Sequence, residues 1–279
     1  MTRRRHPPVA PGDAITVTTY ADLDRYVRKV VDRSLDVLLL LGRPGTGKTE
    51  RVRSAVRDQC GGSALYVEGH AQPYGIYRGL WEHRDQPVIL DDLDRLYANP
   101  DSVRLLKPLC ESKAVKRVGW RSKVTHGDDG PPTEFDTRSP VILIANEWRT
   151  INANVQALED RAIIVHFEPD NVSVHQEVAA WCTDDTVYEF VGRHLHLVTC
   201  VSMRWYAKAE RLRRAGFPDW QDSLLQMMCG NRGLAVVASV ASDPRLLTEQ
   251  ERFGAFQDAT GLSRATYFRL KKRMAAEDL

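Results

Sequence analysis

Eight residues constrain this chain more than any others: Gly42-Arg-Pro-Gly-Thr-Gly-Lys-Thr49 follows directly on the apolar run Val37–Leu41 and opens the helical stretch Glu50–Gln59. They fit the pattern G-x-x-x-x-G-K-[ST] in full, with strand and helix on the required sides. Glycines at 42, 45 and 47 let successive backbone N–H groups turn toward a bound phosphate, and the N-terminus of the following helix adds positive potential there. On this reading Gly42, Pro44, Gly45, Thr46, Gly47, Lys48, Thr49 and Glu50 bind the phosphates of a nucleotide. Lys48 reaches the β- and γ-phosphates, and the Thr49 hydroxyl ligates Mg²⁺.

Such a loop needs a carboxylate for the metal at the end of a neighbouring strand. Pro87-Val-Ile-Leu-Asp91-Asp92 supplies it. Asp91 is the expected metal-shell ligand, and Asp92 the residue that orients or deprotonates an attacking water. Further short apolar runs stand at Ala64–Val67, Val141–Ala145 and Ala162–Phe167, with helix-sized segments between most of them. Continuous apolar runs of this length are buried parallel strands, so the expected core is an α/β domain with a five-stranded parallel sheet. Ahead of it, Leu23, Tyr26, Val27, Val30 and Val31 share one helical stripe.

After Pro169 the period becomes helical throughout, over Val172–Trp181, Asp185–Leu195, Met203–Arg214 and Trp220–Met228. The expected organisation is a basic, Pro-rich arm at 1–18, a nucleotide-binding α/β domain at 19–169, an all-helical lid at 170–230 and a C-terminal helical module at 231–279. Composition narrows the function from the other side. With 39 Lys and Arg against 37 Asp and Glu, the net charge is only +2, so any nucleic-acid surface must be local. No apolar run approaches the roughly 18 residues of a membrane helix, and the basic N-terminus lacks an apolar h-region, which predicts a cytoplasmic protein with no membrane partner. The five cysteines are dispersed and odd in number, which fits neutral thiols and no disulfide framework, and His194 and His196 are spaced wrongly for a zinc site.

Beyond the two phosphate-site motifs, the stretch from Tyr20 to Arg214 resembles the AAA+ ATPases. The apolar run Val141-Ile-Leu-Ile-Ala-Asn146 is similar to the family's sensor-1 strand, which implies that Asn146 binds the water or the γ-phosphate. Asn154-Val-Gln-Ala-Leu-Glu-Asp-Arg161 is similar to the helix that carries an arginine just before the fifth strand. The resemblance makes Arg161 an arginine finger, offered to the nucleotide of a neighbouring subunit; the competing arrangement is a surface ion pair with Glu159 or Asp160. Val201-Ser-Met-Arg204 resembles sensor 2, with Arg204 opening a lid helix, against a plain amphipathic helix with a solvated arginine. An Asp-Asp pair at 91–92, where many members have Asp-Glu, is similar to bacterial replication initiators, helicase loaders and insertion-sequence transposition ATPases.

The C-terminus carries a capping box, Thr248 with Glu251, then Phe253 and Phe256 on one face, a turn at Gly261 and a capping Ser263. The next helix holds Arg264, Arg269, Lys271, Lys272 and Arg273 with no acidic residue, and resembles the second helix of a helix-turn-helix. Arginines read guanine edges and lysines contact phosphate, so Arg264, Thr266, Arg269, Lys271, Lys272 and Arg273 are the expected DNA contacts. The competing arrangement is a helical hairpin packed on the lid. A segment at 118–137, with Trp120, Arg121, Lys123 and Phe135 around the turn cluster Gly127-Asp-Asp-Gly-Pro-Pro, reads as a hairpin that meets DNA or as an ordinary loop.

The resemblance implies an ATPase that uses ATP and Mg²⁺, self-associates into an ATP-dependent oligomer or ring, and couples hydrolysis to assembly on DNA. Replication initiation, helicase loading and transposition each fit, with a helicase or a transposase as partner protein. Two alternatives stand beside it: a protein-remodelling activase whose C-terminal helices dock a protein, and an ATP-gated DNA switch with little turnover.

Overall fold

Strand β2 (Val37–Leu41) is buried along its whole length, so it has to lie inside a sheet covered on both faces. In the computed structural model, which describes residues 11–69, 71–91, 100–111, 113–120, 130–146 and 153–276, it does. The remaining strands of this region are β1 (Ile15–Val17), β3 (Leu65–Glu68), β4 (Val88–Asp91), β5 (Lys116–Gly119), β6 (Glu134–Thr137), β7 (Val141–Ala145) and β8 (Ile163–Phe167). Six of them form one sheet in the order β1-β8-β2-β7-β4-β3, with every neighbouring pair parallel. Strand β7 thus stands between the loop strand β2 and the acidic strand β4.

Parallel pairing forces helical crossovers, and these are α1 (Tyr20–Val31), α2 (Lys48–Cys60), α3 (Pro73–Glu82), α4 (Pro100–Leu109) and α5 (Ala153–Glu159). Leu39, Leu41, Leu90 and Leu143 join Ile76, Tyr77 and Leu80 of α3 and Leu106 and Leu109 of α4 in one core. The alternate residues Leu38, Leu40 and Ile142 point the other way by the two-residue period of a strand, the side on which α1 packs against α2. Each fully buried leucine contributes roughly 1.5–3 kcal/mol, more than the ~0–1 kcal/mol of an exposed ion pair, so the apolar strands decide this fold.

The sheet has a sixth strand beyond the five expected, because β1 lies within the stretch 1–18 that reads as a solvated arm. Three residues are too few to show a period, and only Val17 among them is buried. Between α4 and β7, β5 and β6 pair antiparallel with Val118 opposite Phe135. Phe135 packs 5.4 Å from both Tyr77 and Trp81, and the buried Lys116 ammonium donates to the Ser139 carbonyl at 2.8 Å. These contacts hold the base of a short ribbon; Arg121, Lys123 and residues 127–129 of the turn cluster lie outside the described residues.

The chain divides into two units, Met1–Pro169 and Asp170–Leu279. The second is all helix among its described residues: α6 (Asn171–Val178), α7 (Asp185–Arg193), a 3₁₀ turn at Leu195–Leu197, α8 (Met203–Arg214), α9 (Trp220–Cys229), α10 (Arg232–Ser242), α11 (Glu249–Thr260) and α12 (Arg264–Ala276). Side chains of Asp170, Asp184, Ser202, Asn231 and Thr248 cap α6, α7, α8, α10 and α11, each worth about 1 kcal/mol. The Thr248–Glu251 capping box forms in both directions. Two apolar cores share α10: Ala235 and Ala238 face Leu224 and Tyr206, whereas Leu234, Val237 and Val240 face Phe256, Tyr267 and Leu270.

Candidate functional site

In-register pairing brings the C-terminal ends of three strands together. Leu41 of β2 is level with Ala145 of β7, and Asp91 of β4 with Ile144. The residues that follow, Gly42 and Asn146, therefore emerge side by side, with Asp91 one strand further on. Gly42 is compressed against β8: a Cβ there would stand 2.5 Å from the Phe167 carbonyl oxygen, so only glycine fits. Gly47 has φ +82° and caps α2 with no side-chain hydrogen bond, which leaves the first N–H groups of the helix to a ligand's oxygens.

Lys48, 5% exposed, lies across the loop. Its Nζ donates to the carbonyls of Gly42 (2.6 Å) and Arg43 (2.9 Å) and stands 3.4 Å from Asn146 Oδ1. The Thr49 hydroxyl donates to Asp91 Oδ2 at 2.6 Å. An ammonium, a row of helix N–H groups and a hydroxyl–carboxylate pair thus converge, the donor set that a nucleoside triphosphate with Mg²⁺ requires.

A second layer holds the loop in place. Tyr20, first residue of α1, donates its hydroxyl to the Thr46 carbonyl at 2.9 Å and packs edge-on against Phe167 at 5.1 Å. The Arg51 guanidinium lies over the Tyr20 ring and bonds Asp24 at 3.1 Å. Burial pushes the Asp24 carboxyl up, opposed by the nearby Arg51 and Arg28. Sequence reasoning missed Tyr20 and Arg51 as loop supports, and no local signal would have found them, because the contact spans 26 residues of chain.

Asp92 is outside the described residues. Arg161 sits between α5 and β8, its guanidinium donating to the Ala157 carbonyl. Arg204 is exposed on the first turn of α8, in the second unit. On α12, the Lys271 ammonium bonds Glu249 Oε2 at 2.5 Å, beside the Tyr267 hydroxyl that bonds Oε1 at 2.7 Å, and this pairing holds the Glu249 carboxyl below its ordinary range. Ser263 caps α12 through the Thr266 N–H and hydroxyl. Arg264, Arg269 and Lys272 are exposed, and the Arg273 side chain lies outside the description.

The loop geometry carries a prediction. Gly42→Ala forces the end of β8 to move, an overpacking cost of about 1–3 kcal/mol, and tilts the phosphate-facing backbone. A lower melting temperature and nucleotide binding at least tenfold weaker are expected. Gly75→Ala on α3, where nothing lies within 4 Å of the added Cβ, serves as the control and lowers neither, since alanine favours a helix over glycine. Equal nucleotide affinity for Gly42→Ala and Gly75→Ala would remove the loop from the site.

The strand–loop–helix at 42–49 with its neighbouring carboxylate defines a P-loop α/β domain. The fold is more specifically that of the AAA+ P-loop ATPases. Cdc6p from Pyrobaculum aerophilum superposes with a TM-score of 0.50 at 11% identity, over 98% of this chain and 91% of that one. The Holliday junction branch migration motor RuvB from Thermotoga maritima is similar over 88% of this chain and 83% of that one, at 13% identity and a TM-score of 0.46. No protein-family model and no curated protein matches the sequence. No helix among the described residues is long and apolar enough to cross a membrane.

Proposed function

We propose that this protein is an ATPase that binds ATP with Mg²⁺ at the 42–49 loop and couples binding and hydrolysis to assembly on DNA. The observation that carries the reading is the convergence of Lys48, Thr49, Asp91 and Asn146 at the ends of three adjacent strands. The loop N–H groups and Lys48 bind the phosphates, and Thr49 and Asp91 hold Mg²⁺, which when bound neutralises phosphate charge. Asn146, beside Lys48, orients the attacking water from one side. Asp92, next to the metal ligand in sequence, accepts its proton.

Arg161 acts on another copy of the chain. Ile163 is level with Leu38, so the start of β8 lies about 13 Å below Gly42 at roughly 3.3 Å per strand residue, and Arg161 precedes even that. No single side chain spans this, whereas a neighbouring subunit can present the guanidinium. Active sites shared between subunits make the active species an oligomer.

The DNA part of the reading rests on α11 and α12, joined by a tight turn whose Gly261 has φ +68° and packed with α10 around Phe256 and Tyr267. We read this pair as a helix-turn-helix, a reading supported by the cations that α12 exposes without carboxylates. Since Lys271 is engaged by Glu249, Lys272 is the better phosphate contact. Deleting residues 244–279 would uncover Leu234, Val237 and Val240, so point variants test the module more cleanly than truncation.

The deciding experiment is duplex-DNA anisotropy at two salt concentrations with ATP, ADP or no nucleotide, alongside turnover with and without DNA. ATP is expected to tighten binding and DNA to raise turnover. Lys272→Ala is expected to weaken binding to all sequences and to lower the salt slope by about one phosphate contact. Binding that ignores both salt and nucleotide would overturn the coupling, and a protein partner for α12 would take its place.

A further inference from the structure

Helix α12 sorts its residues sharply. Tyr267 and Leu270 are buried, and Lys271 is bonded to Glu249. Arg264, Ala265, Phe268, Arg269 and Lys272 are exposed. At 3.6 residues per turn, Arg264, Phe268 and Lys272 form one stripe, with Ala265 and Arg269 beside it.

Phe268 is the outlier on this face. It is 39% exposed and belongs to neither apolar core of its unit. Its ring rests edge-on against Tyr267 at 5.2 Å, and the Arg264 guanidinium lies 5.7 Å from the ring centre. A lone surface phenylalanine carries no meaning in itself. Its company does: three exposed cations and no carboxylate anywhere in Arg264–Ala276. An apolar ring within a cationic face is complementary to a polyanion that also presents apolar groups.

Duplex DNA is such a polyanion, because its major groove displays the C5-methyl of every thymine between rows of phosphates. A helix about 10–12 Å across enters a groove about 12 Å wide, with residues of its first turns nearest the base edges. We propose that the exposed face of α12 reads thymine in the major groove, with Phe268 packed on a C5-methyl group and Arg269 and Lys272 on flanking phosphates. Ala265, one turn ahead, leaves room for the base edge. The inference rests on the DNA-binding reading above and adds a specificity residue to it.

The test uses the full chain with ATP. Duplexes are selected from a random 20-base-pair pool, and the selected duplex is then titrated by anisotropy with thymine, or with uracil at single positions. Replacing one contacted thymine by uracil removes one methyl and is expected to weaken binding about fourfold. Phe268→Ala is expected to abolish that thymine preference while keeping the salt dependence, and Phe268→Leu, which retains apolar bulk, to keep most of it. Lys272→Ala should do the opposite, lowering the salt slope at an unchanged thymine-to-uracil ratio. Melting temperatures check that the variants at this exposed position stay folded.

A thymine preference unchanged in Phe268→Ala overturns the inference, as does selection that enriches no sequence; in both cases salt-dependent binding leaves the DNA reading intact. Absence of salt-dependent duplex binding by the unmodified chain is the separate result that removes the DNA reading itself.

Discussion

Lys48→Ala is expected to lose ATP binding by a factor of about 10²–10⁴. The buried ammonium is the one side-chain cation brought against the loop carbonyls among the described residues, and a hydrogen bond to a charged group is worth about 1.5–3 kcal/mol. Two such bonds to phosphate oxygens give about 3–6 kcal/mol, and 1.4 kcal/mol is tenfold. The measurement is an equilibrium titration with a fluorescent ATP analogue. Asp92→Asn in the same assay is expected to bind normally and to stop turning over, since a carboxamide cannot take the proton from water. Equal affinity of Lys48→Ala and the unmodified protein would end the nucleotide assignment.

The second large effect is at Arg161. Supplied in trans, a guanidinium stabilises the charge that develops on the transferred phosphoryl group and is worth roughly 10³–10⁵ in rate. Arg161→Ala is therefore expected to reduce turnover by about 10³ with little change in ATP affinity, because in the proposed role it touches only the transition state of a neighbour's site. Mixing Arg161→Ala with Asp92→Asn should restore part of the activity, since one mixed site receives an intact acid from the first variant and an intact arginine from the second. Sedimentation with ATP should show larger species than with ADP. Unchanged turnover in Arg161→Ala, or a mixture no more active than its components, would return Arg161 to the ordinary role of a helix-end contact with Ala157.

The parts of this protein legible in its sequence are those whose physics is local. The loop at 42–49 is a run of conformational demands, glycines beside a helix-opening Lys-Thr pair, and these hold whatever surrounds them. The apolar runs at β2, β4, β7 and β8 are readable because full burial on both faces needs uninterrupted hydrophobic residues. The caps Ser202 and Thr248 act within three residues of themselves. Strand β1 escaped the same reading because it is short and mostly exposed at the sheet edge.

Tertiary structure decided everything that depends on distance through space. The strand order placed β7 between β2 and β4, and its pairing with β2 brings Asn146 to Lys48 across 98 residues of chain. Likewise, Tyr20 became a brace for the loop because α1 packs over the sheet end where Thr46 emerges. The five cations of α12 look equivalent in sequence; packing against α11 committed Lys271 to Glu249 and turned Arg269 and Lys272 outward. Local motifs record what a backbone segment must do by itself, whereas the partner of a side chain is chosen by the burial of distant apolar faces, which no short stretch of sequence contains.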